Sequence, residues 1–165
     1  MVSNKRPIVV YIEQARIPNE TTSITRSEVP ITGDIVIHHR VQNGANNKVM
    51  GDSFLKELYD ILDGTVSENL KFEDGASVFV YTSCARSIEN YENFERNILF
   101  GSDLPVHSFR ACQKIFNLCK ENHYDLHMSE NTMLGETIKS DARAELLNIL
   151  RKTGERGKMN DGTGK

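Results

Sequence analysis

The sequence predicts an α+β fold: a single domain with a mixed or antiparallel sheet packed by about four helices. Three observations lead there. Short β-branched runs and amphipathic helical stretches follow one another in the irregular order β, β, α, β, α, α, β, β, α, without the alternation of a doubly wound parallel sheet. The 165 residues mix 38% hydrophobic with 26% charged side chains, a globular composition. That length suits one hydrophobic core.

Pro7 to Ile12 (PIVVYI) is β-branched and aromatic and reads as the first strand. Residues 14 to 32 hold Pro18 and Pro30 among many Ser, Thr and Glu, without a sustained period, and are expected to form an exposed arm. Ile35 to Val41 has the β-branched density of a central strand, closed by the turn residues Asn43 to Asn47. Asp52 and Ser53 are placed to cap a helix bearing Phe54, Leu55, Leu58, Ile61 and Leu62, stopped by Asp63-Gly64. Ser77 to Ser83 is apolar on both alternating faces, as in a strand covered on two sides.

Beyond it, Ile88, Tyr91, Phe94, Ile98 and Leu99 stand at helical spacing, and Phe109, Cys112, Ile115, Phe116 and Cys119 form a second stripe. Tyr124 to Met128 and Thr132 to Ile138 flank Ser129-Glu130-Asn131 as a hairpin would. A last helix is expected from Ser140-Asp141, with Ala142, Leu146, Leu147, Ile149 and Leu150. Three regions follow: a strand and flexible arm over 1–32, a globular core over 33–152, and a disordered basic tail over 153–165.

Net charge is −3 but uneven. Lys5 and Arg6 open the chain; Arg151, Lys152, Arg156, Lys158 and Lys165 outnumber the acids of the last fifteen residues, and the acid excess lies between. Lys5, Arg6, Arg151, Lys152, Arg156 and Lys158 are thus the candidate contacts to phosphate or anionic lipid. The acidic middle lacks the basic stripe interleaved with aromatics that marks a strand-gripping fold. No apolar run reaches the roughly 18 residues of a membrane span, and no signal-peptide core is present, so the chain is expected to be cytoplasmic or nuclear, neither secreted nor transmembrane.

Cys84, Cys112 and Cys119, an odd number without a CxxC pair, read as free thiols. Cys112, Cys119, His123 and His127 are ligand types for zinc, but on one helix the outer two stand about 22 Å apart at 1.5 Å per residue. A shared ion would need help from Cys84 or His107, and buried small hydrophobes describe the cysteines better, so no metal and no cofactor is expected. Cys84 follows the buried strand in TSCARS with Arg86 nearby for an anion, a thin basis for a catalytic thiol. His38 and His39 point to opposite faces of a strand and form no pair, and Glu89, Glu92 and Glu95 follow a solvated helix face. No catalytic residue is assigned.

Residues 33 to 62, with the strand GDIVIHHRV, the loop QNGANNKVMG and the helix DSFLKELYDIL, resemble the opening of the rhabdovirus matrix core, especially that of plant rhabdoviruses. The resemblance implies a non-enzymatic, self-associating scaffold, in host cell and virion, bridging nucleocapsid or RNA and an anionic membrane. The arm residues Ile17, Pro18, Ile24, Val29 and Pro30 would then dock on a neighbouring copy. An intracellular adaptor, or a small enzyme using Cys84 or a histidine, are the alternatives; no small-molecule substrate is expected.

Overall fold

Among the described residues of the computed structural model there are nine elements: β1 (Ile8–Arg16), β2 (Thr22–Ile31), β3 (Asp34–Asn43), α1 (Asn47–Asp63), β4 (Ser77–Thr82), α2 (Ala85–Phe100), α3 (Val106–Asn122), β5 (Asp125–Glu130) and α4 (Thr132–Thr163). It describes residues 7–18, 20–100 and 106–163, without the side chains of 99–100, 106–108, 132 and 154–163. The strands form one sheet in the order β3-β2-β1-β4-β5. β1, β2 and β3 make an antiparallel meander, whereas β4 and β5 run parallel to β1. Parallel neighbours require crossovers, and α1 before β4 and α2–α3 before β5 supply them.

Two helical layers cover the sheet. On one face α1 packs on β1, β2, β3 and α3. Val10, Ile12, Val29, Val78 and Val80 meet Phe54, Leu58 and Ile61 of α1 and Ile115 of α3 in the main core. On the other face α4 lies over β1 and β2, where Ala15, Ile24, Ala142 and Leu146 form a smaller core. Asn46 caps α1 by accepting from the Val49 amide at 2.9 Å. Gly64 ends it in the left-handed conformation at φ 78°, its N–H turned back to the carbonyls of Asp60 and Ile61.

The α+β class, the single domain, the mixed sheet and the four helices stand as expected. Several elements differ. Residues 22–31 are no arm but the long second strand, because its buried face is polar and satisfied. Ser23, Thr25 and Ser27 are at most 1% exposed. Ser23 Oγ donates to Gly44 O at 2.5 Å, Gln14 Nε2 donates to Thr25 Oγ1 at 2.9 Å, and Ser27 Oγ donates to Glu57 at 3.3 Å. A search for apolar alternation passes over such a strand.

Ile24 and Val29, at 0% and 1% exposure, are therefore core residues and not docking contacts; Ile17 is half-buried, and Pro18 and Pro30 are exposed. β3, expected at the centre, is an edge strand whose Ile35, Ile37 and Val41 stay exposed. The segment after Asn131 forms no hairpin with β5: it starts α4, which continues past the stop expected at Thr153-Gly154 to Thr163. Among the described residues no helix is long and apolar enough to cross a membrane.

Candidate functional site

In open sheets with parallel strands, ligands gather outside the carboxyl ends of the strands where the chain connections diverge. Here that point lies between β1 and β4: β1 leads on to β2 on one side, and β4 leads on to β5 on the other. β1 carries Glu13 there, two residues beyond the Tyr11↔Tyr81 pair that ends its register with β4. Ser83 is the first residue after β4.

Glu13 is 1% exposed. Both of its carboxylate oxygens accept from the Ser83 amide, at 3.0 and 2.9 Å, and Oε1 also accepts from Ser83 Oγ at 2.5 Å. α4 closes over the pair at Gly135, where a Cβ would stand 2.6 Å from Glu13 Oε2 and 3.0 Å from Ser83 Cβ. Only a residue without a side chain lets the helix approach this closely. Burial pushes the Glu13 pKa above its ordinary value; the Ser83 hydrogen bonds and Lys139 pull it back, and Glu136 adds to the rise.

A groove of about 470 Å³ opens beside this crevice, bounded by Gln14, Ala15, Arg16, Met50, Glu136, Lys139, Ser140 and Arg143. A second hollow of about 440 Å³ continues it, sharing Arg16 and Arg143 and adding Ile17, Pro18, Glu20 and Ala45. Gln14, on the strand face opposite Glu13, donates to Met50 O at 2.6 Å and ties β1 to the first turn of α1. Three cations thus face one acid, Glu136, along the first groove.

The residues singled out in the sequence lie elsewhere. Cys112 and Cys119 are core residues of α3, 1% and 8% exposed, and burial pushes both thiols up to about 12. His123 lies beyond the end of α3 at φ 56°, and His127 sits on β5, stacked on Phe79 at 4.9 Å. His107 has its side chain outside the described residues. Cys84 is half-buried; its amide donates to Thr82 Oγ1 at 3.1 Å, and its sulfur accepts from Ser87 Oγ at 3.4 Å, while Arg86 is exposed. His38 and His39 turn to opposite faces as expected, toward Glu57 and Arg26.

Of the terminal cations, Lys5 and Arg6 lie outside the described residues, as do the side chains of Arg156 and Lys158. Arg151 and Lys152 are exposed on α4, and Arg151 is about 18 Å along the helix axis from Lys139. Sequence reasoning missed Glu13, Ser83, Lys139 and Arg143. The available signal was one carboxylate inside the β-branched run IVVYIEQA, and a polar residue just after the buried strand, one position before Cys84.

No protein-family model matches the chain, and no curated protein does. Solved structures do. The N-terminal RNase H domain of a Mycobacterium tuberculosis protein is 9% identical over 90% of this chain and 98% of that one, with a TM-score of 0.60. LC11-RNase H1, solved in complex with an RNA/DNA hybrid, is 12% identical over 82% of this chain and 92% of that one, at 0.56. RNase H1 from the halophilic archaeon Halobacterium salinarum is 11% identical over 83% and 94%, at 0.52. The fold is that of the ribonuclease H class.

That likeness overturns the matrix-protein resemblance, and with it the non-enzymatic scaffold and its self-association, nucleocapsid and membrane partners. Residues 33–62, which carried the resemblance, are an edge strand and the crossover helix α1. A strand, a turn and an amphipathic helix in succession occur in many folds, and the sheet order distinguishes them.

Nucleases commonly place a pair of divalent ions, about 4 Å apart, between carboxylates and the phosphodiester. The residues here do not fit such a pair. Among the described residues no group of three or more His, Cys, Asp or Glu is arranged to hold a metal ion.

Proposed function

We propose that the chain acts on nucleic acid, with an RNA/DNA hybrid as the first substrate class to offer it. The reading is carried by one observation: Arg16, Lys139 and Arg143 line a groove beside the β1/β4 crevice, in a fold similar to that of LC11-RNase H1. Lys139 and Arg143 are one turn apart on α4, about 6 Å along its axis, close to two phosphate steps of about 3.4 Å each on one strand. Guanidinium and ammonium groups at that spacing suit a phosphate backbone and carry no base preference.

Glu13 lies inside the crevice, 1% exposed and covered by α4 at Gly135. Ser83 orients it through the amide and hydroxyl hydrogen bonds.

A labelled RNA/DNA hybrid, incubated with the protein at low salt and resolved on native and denaturing gels, tests both halves. Retardation that weakens in Lys139→Ala and Arg143→Ala supports the groove, and strand shortening supports action on the bound strand. Retardation without shortening would reduce the reading to binding alone. Neither effect at low salt would overturn the reading as a whole.

A further inference from the structure

Resting on that reading for its ligand, we infer that the crevice meets phosphate charge with Arg16, Lys139 and Arg143 and takes no divalent metal pair. Three features of the site, independent of one another, lead to this.

The first is the donor set. Small divalent ions demand several oxygen ligands in near-octahedral geometry. The crevice has one buried carboxylate, Glu13, and at the end of β4 it has the hydroxyl of Ser83. Glu136 is the one acid lining the groove, and it is exposed to solvent.

The second is occupancy. Both oxygens of Glu13 are engaged by Ser83, and the main chain of α4 at Gly135 lies so close that a single added carbon would stand 2.6 Å from Oε2. An ion approaching that oxygen from the helix side would displace α4 before it met its first ligand. Desolvation further disfavours the charged carboxylate that an ion requires.

The third is charge. A metal site needs acids to offset the ion, whereas this groove supplies cations of its own. Arg and Lys clamps stabilise charge on phosphoryl oxygens by the same electrostatics that metal ions use. Positive side chains and a divalent pair in one small groove would repel each other, so the three cations stand in the place of the ions.

Two measurements on the full chain decide the matter. Calorimetric titration with Mn2+ alone is expected to give no saturable heat. The affinity for an RNA/DNA hybrid, in EDTA and in Mg2+ at matched ionic strength, is expected to agree within about two-fold, since screening is held equal and no ion enters the crevice. Saturable Mn2+ binding that Glu13→Gln abolishes would overturn the inference, as would hybrid affinity at least about ten-fold tighter with Mg2+. Mn2+ binding that persists in Glu13→Gln lies outside the crevice and leaves the inference standing. A chain that binds no hybrid in either buffer defeats the proposed function, and the Mn2+ titration still decides the metal question by itself.

Discussion

Two glutamates are buried on opposite faces of the same sheet, and their surroundings differ in kind. Glu57 of α1 is fully buried beneath the meander and surrounded by Arg40 and side-chain hydrogen-bond donors. His38 Nδ1 donates to it at 2.5 Å, Arg40 Nε lies 3.4 Å away, and Ser27 Oγ completes the shell. Arg40 also pairs with Asp60. Glu13, under α4, is almost as buried and is held by the amide and hydroxyl of Ser83, both uncharged. For Glu13, desolvation outweighs the neutral donors of Ser83 and its pKa is raised. The buried carboxylate on the α1 face sits among charged and hydrogen-bonding side chains, and the one on the α4 face is held by Ser83 alone beside the proposed groove.

The largest effect should come from breaking the compensated network. Glu57→Ala leaves Arg40 and His38 against a cavity without the carboxyl group they contact. Removing one partner of a buried pair costs about 3–5 kcal/mol, and because Arg40 and His38 both keep some contact with water, about 3 kcal/mol is expected here. Urea unfolding monitored by circular dichroism measures it. A loss below about 1 kcal/mol would mean that Glu57 contributes no more than a surface pair.

Gly135→Ala comes next. The added methyl meets a carboxylate that Ser83 holds in place, so relief requires moving α4, and a loss of about 2 kcal/mol is expected. Combining it with Glu13→Ala makes room for the methyl. The double variant should therefore lose less than the sum of the singles, with coupling of at least about 0.5 kcal/mol. Additive losses would show that the approach of helix and carboxylate is looser than the geometry states.

A smaller effect separates the two glutamates by pH. The folded-state pKa of Glu13 is raised, so folding favours its protonated form. Its contribution to stability is complete below the ordinary value of 4.5 and is lost as pH rises through the higher folded value. Lys139 and Glu136 face the same carboxylate and act in opposite directions on it. Glu13→Gln removes the titration, so the stability of wild type relative to this variant should fall by up to about 1 kcal/mol as pH rises through that window. A difference that stays flat with pH would remove the uncompensated-burial account.

The two faces were also unequally legible in the sequence. α1 was readable because Phe54, Leu58 and Ile61 repeat at the helical period and Gly64 ends them, and β4 because its apolar run has no polar face. β2 was not: its inward residues are Ser23, Thr25 and Ser27, whose burial depends on partners distant in sequence, Gly44, Gln14 and Glu57. The crevice was hidden for the same reason. Glu13 and Ser83 are seventy residues apart and neighbour each other only because β4 returns parallel to β1. Nothing local announces a parallel return, and Gly135 looks like an ordinary helix glycine until α4 is laid on the sheet.

The smallest effect concerns the thiols and tests whether the face under α1 stays closed. Cys112 and Cys119 belong to the same main core as Val10 and Phe54, and burial raises both thiols to about 12. At neutral pH the thiolate, the reactive form, is then a minute fraction of either residue, and the surrounding core blocks access. Cys84 lies outside that core, half-buried where α2 begins. Native protein treated with a chromogenic disulfide reagent should therefore release colour from one thiol, and from three only after unfolding. Fast reaction of a second thiol in the native state would show that α3 opens away from the sheet. In Glu57→Ala, faster labelling of Cys112 and Cys119 at unchanged Cys84 reactivity would trace the lost stability to opening of the α1 layer, since α1 packs directly on α3.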